Sequence, residues 1–155
     1  MLRPFRDADA EALATVIRSA IETIGPHAYS PEQVAAWSAR HPRAERFRER
    51  AADGATIILA SDDHDDPVAY ALLEPDGHLD HLYCHPDHTR RGLAVRLLEA
   101  ADAHARSSGI TRLYTEASEL ARPAFERAGY TASHRRDFDL DGVAIHNYAM
   151  EKALT

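Results

Sequence analysis

The pattern of apolar and polar residues is most regular between Leu79 and Ala105, where it changes from a strand pattern to a helix pattern. Residues 79–84 mix apolar and polar side chains in short alternation, which is typical of a strand. Pro86, in the polar turn that follows, lacks an amide hydrogen and ends that strand. Beyond the turn, apolar side chains recur about every 3.6 residues and define one helix face: Ala94, Leu97, Leu98, Ala101 and Ala105. The other face carries Arg96, Glu99, Asp102 and Arg106. The pattern predicts a strand, a tight turn and a long amphipathic helix.

Helices are also predicted near the start of the chain. Asp7 or Asp9 can cap the first, which ends at Gly25. Its apolar stripe consists of Leu13, Val16, Ile17, Ala20, Ile21 and Ile24. Ser30 is the predicted N-cap of the second helix, and Gln33 completes a capping box. A third, short helix is expected over residues 43–50.

Short apolar runs predict the remaining strands. They cover residues 2–5, 56–60, 68–74, 111–116, 130–140 and 143–152, with a short helix at 121–128. Asp141 and Gly142 have the residue types of a two-residue hairpin turn. A three-strand meander followed by a strand–helix–strand unit requires a mixed sheet with helices on both faces. We therefore expect a single α/β (α+β) domain over residues 1–155, with about six to seven strands in a mostly antiparallel sheet.

Composition excludes several classes of protein. The chain is 45% apolar and 28% charged, within the range of globular domains, and its net charge of −7 argues against a nucleic-acid-binding face. No apolar run approaches the length of a membrane span, so no membrane partner is expected. The single cysteine, Cys84, excludes an internal disulfide and favours the cytoplasm. The acidic turn at 62–66 is typical of a solvated loop, and we expect no metal.

The start of the long helix is a candidate anion site. Gly92 and Ala94 are small residues in the first turn, where backbone N–H groups have no helical partner and the helix dipole is positive. Arg90 and Arg91 add positive charge. These features favour a phosphate or pyrophosphate. The same residues also fit an ordinary strand–turn–helix with a solvated basic corner.

Two segments resemble motifs of one family. HLYCHPDHTRRGLAVRLL resembles the acyl-coenzyme A signature of the GNAT (GCN5-related) N-acetyltransferases, with Gly92 and Ala94 at its final small positions and Thr89 in place of Gln or Arg. ARPAFERAGY resembles the A-x-x-F-Y-E-x-x-G-F segment of the same family, and YSPEQVAAW and IHNYAMEK resemble a bacterial subgroup of it. The resemblance implies the GNAT fold, with its sheet splayed between the fourth and fifth strands.

The resemblance also implies acetyl-CoA as the co-substrate. Backbone groups of Leu82, Tyr83 and Cys84 would bind the pantetheine arm. Backbone N–H groups would hold the pyrophosphate; they belong to Arg90, Arg91, Gly92, Leu93, Ala94 and Val95. Phe125 would lie next to the cofactor, at the position where many family members carry a tyrosine that protonates the leaving thiolate.

Acetylation of an amine requires removal of a proton, and the strand offers two candidate bases. His78 is preferred, since it falls where some family members carry a catalytic glutamate, and Asp80 is the alternative. Alternation predicts that both share a face with Leu82 and Cys84, while His81 shares the other face with Leu79 and Tyr83. Glu116, at the end of the next strand, is a further candidate base or amine ligand. Tyr148 and Asn147, in the final strand, could line the acceptor pocket, and Tyr148 could replace the missing acid.

These observations predict an N-acetyltransferase that transfers an acetyl group directly from acetyl-CoA to the amine of a small molecule or peptide. Two alternatives remain open at this point. One is a GNAT-fold protein that binds acyl-CoA without turnover, and the other is an unrelated phosphate-binding domain. A homodimer is compatible with the apolar first helix and the terminal hairpin.

Overall fold

The computed structural model describes residues 1–154. The helices within that range are α1 Ala10–Ile24, α2 Pro31–Ala39, α3 Ala44–Ala52, α4 Leu93–Ser107 and α5 Arg122–Arg127. The strands of the same range are β1 Leu2–Pro4, β2 Thr56–Ser61, β3 Pro67–Leu73, β4 Leu79–Cys84, β5 Arg112–Ala117, β6 Thr131–Leu140 and β7 Val143–Ala153. The element order is the one predicted. None of the helices in residues 1–154 is both long and apolar enough to cross a membrane.

Hydrogen bonding divides the strands into two antiparallel sheets, in the orders β1-β2-β3-β4 and β5-β7-β6. The sheets approach each other where β4 begins: Tyr114 donates its N–H to the Gly77 carbonyl at 3.0 Å, and the Thr115 hydroxyl donates to the Leu79 carbonyl at 2.7 Å. A Cβ atom at Gly77 would collide with the carbonyl oxygen of Arg112, so glycine permits this approach. Farther along, no backbone hydrogen bond joins β4 to β5 within residues 1–154. The predicted splay between the fourth and fifth strands is confirmed.

Helices cover both faces of the sheets, as predicted. On one face, α1 and α3 bury Leu13, Ile17 and Phe47 against Tyr70 of β3. On the other face, α4 buries its apolar stripe: Leu97, Leu98, Ala101 and Ala105 are buried and Ala94 is half-buried. This burial, rather than helix propensity, supplies most of the stability of a surface helix.

Two details differ from the sequence expectation. Asp102 was expected on the solvent face of α4, but its side chain is only 19% exposed and accepts a hydrogen bond of 2.7 Å from Lys152 of β7. Asp9 does not bond to the first-turn N–H groups of α1; it accepts from the N–H of Arg6 and from both terminal guanidinium nitrogens of Arg3. The capping box of Ser30 and Gln33 is confirmed.

The predicted faces of β4 are confirmed for Leu82 with Cys84 and for His81 with Tyr83. They are wrong for Leu79 and Asp80, because the strand contains a β-bulge. Leu72 pairs with His81 and Leu73 pairs with Leu79, so Asp80 has no partner on β3. An extra residue on one strand shifts the phase of side-chain alternation. Leu79 therefore packs with the α4 core, whereas His81 contacts the aromatic core on the α1 face. Asp80 points to the same side as His81, with its Oδ2 atom 3.6 Å from the imidazole.

Candidate active site

The splay opens a cavity of about 320 Å³ between β4 and β5, bounded on its far side by the β6–β7 hairpin, by Tyr29 and by Trp37 of α2. Its charged and polar lining residues include Asp80, Thr115, Glu116, Ser118, Arg136, His146 and Asn147. Its apolar and aromatic lining residues are Tyr29, Trp37, Leu82, Tyr83, Ala117, Ala121, Phe125, Phe138, Leu140 and Ile145. Of the predicted catalytic residues, Asp80 and Glu116 line the cavity. His78 is not among the lining residues, but its Nε2 atom lies 2.8 Å from Glu116.

His78 is held between two carboxylates. Its Nδ1 donates to Glu74 at 2.6 Å and its Nε2 donates to Glu116 at 2.8 Å, and its ring stacks on Tyr114. The hydrogen bond to Glu116 is the largest influence on its pKa; together with the bond to Glu74 it outweighs burial and raises the pKa of His78 from 6.5 to about 9. The imidazole is therefore protonated at neutral pH and has no free lone pair.

Asp80 is the second charged residue of this region, and the β-bulge directs it into the cavity. Arg50 of α3 donates to it at 2.6 Å and lies 3.4 Å from Glu74. Burial acts to raise the pKa of Asp80, but the hydrogen bond and charge of Arg50, together with the charge of protonated His78, bring it below the ordinary value. His81 itself is buried, which lowers its pKa to about 4. Its Nδ1 accepts a hydrogen bond of 3.0 Å from the hydroxyl of Tyr70. Asp80 is thus a carboxylate and His81 a neutral imidazole at pH 7.

Together, five side chains form what we call the carboxylate cluster: Arg50, Glu74, His78, Asp80 and Glu116. With His78 protonated, three carboxylates face two cations, which leaves one net negative charge next to the cavity. One donor atom from each of Glu74, His78 and Asp80 lies within 4.8 Å of the others, a spacing that could accommodate a metal ion. The guanidinium of Arg50 already supplies a positive charge at this position.

The turn after β4 leads to the candidate anion site. Gly92 is the N-cap of α4 with φ 73°, and a Cβ atom there would meet nothing within 4 Å. The first bond of the helix runs from the Arg96 N–H to the Gly92 carbonyl, so the N–H groups of Leu93, Ala94 and Val95 have no partner within residues 1–154. Arg90 and Arg91 beside it are exposed.

The register of β4 determines which of its peptide groups face the gap. Hydrogen-bonded pairs alternate along an antiparallel ladder. His85 donates to the carbonyl of Val68, so Tyr83 is the next residue that bonds to β3. Alternation then directs the peptide groups of Leu82 and Cys84, but not those of Tyr83, toward the open side.

The remaining predicted residues lie in different surroundings. Phe125 is buried and lines the cavity, with its ring packed edge-on against Tyr130 at 5.0 Å. Tyr148 is not among the described residues that line the cavity; the guanidinium of Arg122 covers its ring at 4.3 Å. Burial raises the pKa of the Cys84 thiol to about 11, so it is a thiol rather than a nucleophilic thiolate at neutral pH.

Sequence reasoning missed three residues of this site, Arg50, Glu74 and Arg136, whereas Asn147 was expected to line the acceptor pocket and is part of the cavity lining. Arg50 and Glu74 complete the carboxylate cluster. Arg50 is far from His78 in the sequence and Glu74 lies in the turn before it, so no sequence pattern links either residue to the cluster. Arg136 and Asn147 lie opposite each other on β6 and β7 and are joined by a 2.9 Å hydrogen bond. Only the hairpin register, counted from Asp141 and Gly142, could have indicated that contact.

Comparison with known proteins identifies a family. Residues 26–152 match the Acetyltransferase (GNAT) domain family. The uncharacterized N-acetyltransferase YafP of Escherichia coli (strain K12) is 25% identical over 149 residues, which make up 96% of this chain and 93% of that protein. This match excludes the alternative that the chain is a phosphate-binding domain unrelated to acetyl transfer.

Solved structures agree with this family. A GCN5-related N-acetyltransferase from Rhodopseudomonas palustris has a TM-score of 0.89 and 32% sequence identity, over 99% of this chain and 95% of that one. The PaiA N-acetyltransferase from Thermoplasma acidophilum, crystallised in complex with coenzyme A, has a TM-score of 0.80 and 18% identity, over 99% and 98% of the two chains. At that lower identity the likeness shows the shared fold.

Proposed function

The chain belongs to the GNAT acetyltransferase family and is an acyltransferase. We propose that it transfers the acetyl group of acetyl-CoA directly to the amine of a small molecule bound in the cavity. The observation that carries this proposal is the arrangement of three features around the splay. Unpaired N–H groups lie at the start of α4, the open edge of β4 precedes them in the chain, and the cavity lined by Asp80 and Glu116 adjoins that edge at Leu82.

The proposed position of acetyl-CoA follows from these donors. The pyrophosphate binds the N–H groups of residues 92–95, where the dipole of α4 favours negative charge. The pantetheine arm extends along β4 and exchanges hydrogen bonds with the peptide groups of Leu82 and Cys84. The thioester then lies near the middle of the cavity, between Phe125 and the carboxylate cluster. The CoA complex of the Thermoplasma acidophilum PaiA enzyme supports coenzyme A as the ligand of this fold.

The proposed chemistry begins with an ammonium group, which the negative carboxylate cluster attracts. Glu116 accepts a proton from it, directly or through water, and the neutral amine nitrogen attacks the thioester carbon. The carbon–nitrogen bond forms, the carbon–sulfur bond breaks, the attacking nitrogen loses its second proton to water, and CoA leaves as a thiolate. His78 is protonated and hydrogen-bonded on both sides, so its proposed role changes from base to positioning residue for Glu116.

The leaving thiolate has no tyrosine beside it, because Phe125 occupies the expected position. Thiolate is a fair leaving group, so direct transfer proceeds without a general acid. Phe125 also favours the second candidate function, a protein that binds acyl-CoA without turnover. Release of CoA thiol in the presence of amines distinguishes the two.

The test of the cofactor site is calorimetric titration with acetyl-CoA, with ATP as the control ligand. We expect a 1:1 heat for acetyl-CoA and none for ATP. Gly92→Glu should abolish binding, because a carboxylate would occupy the pyrophosphate site. Gly109→Glu is the matched control: Gly109 lies beyond the other end of α4, with φ 78° and nothing within 4 Å of a Cβ. Equal binding by both variants would contradict the proposed site.

The homodimer stays a prediction. Light scattering of the purified protein measures its mass in solution and tests that prediction.

A further inference from the structure

Arg136 is a cation in the cavity that lacks a carboxylate partner. Two other basic side chains near the cavity form ion pairs with acidic residues. Arg50 pairs with Asp80, and His146 pairs with Glu119 at 2.7 Å. The guanidinium of Arg136 instead donates to the Oδ1 atom of Asn147 and lies 5.2 Å from the ring centre of Phe138.

The surroundings of Arg136 orient it for a ligand. Its side chain is partly buried, and both Arg136 and Asn147 line the cavity. Asn147 accepts through Oδ1, so its Nδ2 group remains as a second donor beside the guanidinium. A guanidinium and an amide N–H side by side match the two oxygens of a carboxylate.

The cavity carries charges of both signs. The carboxylate cluster has one net negative charge, and Arg136 has one positive charge. Much of the remaining lining is apolar and aromatic, with Trp37, Phe138 and Ile145 among its residues. A cavity of about 320 Å³ must also admit the thioester, which limits the acceptor to a small molecule.

We propose that the acceptor is an amino acid with an apolar side chain, whose carboxylate binds Arg136 and Asn147 while its amine faces Asp80 and Glu116. This inference rests on the proposed acetyl transfer, and it names the substrate class. Arg136 is then a specificity-determining residue: it holds the end of the acceptor that does not react.

The experiment compares pairs of acceptors that differ only in the carboxylate: L-leucine with 3-methylbutylamine, L-phenylalanine with 2-phenylethylamine, and each amino acid with its amide. CoA release is followed with a thiol reagent. For the wild-type protein we expect a kcat/KM at least about tenfold higher for the carboxylate member, through KM more than kcat, since hydrogen bonds between ionised groups are the strong ones.

Arg136→Met should remove this preference and leave acetyl-CoA affinity unchanged. Arg135→Met is the matched control. Arg135 is the preceding residue of β6, is exposed, and pairs with Asp137, so its loss should keep the preference. Circular dichroism of both variants checks that the hairpin folds.

A binding measurement separates this inference from the proposed reaction. N-acetyl-L-leucine and N-acetyl-L-leucinamide are titrated into the CoA complex of the wild type and of Arg136→Met. Tighter binding of the acid, lost in Arg136→Met, supports the carboxylate site even if no amine is acetylated, in which case the acetyl-transfer proposal alone fails. Turnover of amines without preference for the carboxylate overturns the inference and keeps the reaction. Absence of both turnover and discrimination in binding overturns both.

Discussion

The ion triad of Glu74, His78 and Glu116 makes a quantitative prediction about stability. In the folded protein the pKa of His78 is about 9, against 6.5 for an unperturbed imidazole. The folded state therefore binds one proton more than the unfolded state between these two pH values. The free energy of unfolding falls with rising pH wherever the folded state holds the additional proton. The stabilisation by charged His78 is therefore complete below about pH 6.5 and is lost as pH rises through about 9.

The size of the effect follows from the shift. A rise of the pKa from 6.5 to about 9 corresponds to about 3 kcal/mol, at about 1.4 kcal/mol per unit. The side chains of Glu74 and Glu116 are 38% and 33% exposed, so water screens part of the attraction. We expect about 2 kcal/mol of unfolding free energy to depend on the charge of His78.

The assay is urea unfolding at pH 6, 7, 8 and 9, followed by circular dichroism, for the wild type and His78→Gln. Glutamine keeps a hydrogen-bond donor but carries no charge. The wild type should exceed the variant by about 2 kcal/mol at pH 6, and the difference should decline toward zero near pH 9 to 10. His134→Gln is the control, because His134 is exposed and bonds only to the hydroxyl of Ser133 within residues 1–154. A difference that stays constant from pH 6 to pH 9 would refute the reasoning.

Two further predictions concern the reaction. Glu116→Gln should lower kcat by about 100-fold with an unchanged acetyl-CoA affinity in calorimetry, since it removes the proton acceptor but no cofactor contact; a kcat within twofold of the wild type would remove Glu116 from the mechanism. Phe125→Tyr should change kcat by less than about threefold, because the thiolate leaves without an acid, and a tenfold increase in steady-state turnover would show instead that protonation limits the rate.

Several local elements could be predicted from the sequence because their determinants lie within a few residues. The apolar stripe of α4 and the Ser30 capping box are such cases, since helix periodicity and capping are local. Strand β4 was predicted with the bounds that the structure has, because Pro86 ends it. The element order then left few topologies, and the splayed sheet followed from the family resemblance.

The active-site constellation could not be predicted in the same way, because it depends on contacts between distant segments. The bulge at Asp80 arises from pairing with β3, and period-two alternation within β4 cannot reveal it. The protonation of His78 depends on the approach of β5, which brings Glu116 to 2.8 Å. Arg136 and Asn147 meet only through the register of the β6–β7 hairpin.

The sequence by itself therefore determined the elements, their order and the backbone donors at the start of α4, which need only local spacing. Only the tertiary structure decided the charge states of these side chains and which of them meet in the lining of the cavity. Electrostatic shifts and hydrogen bonds act over a few ångströms of space, and the residues that exert them here are 38 positions apart for His78 and Glu116 and 30 for Arg50 and Asp80.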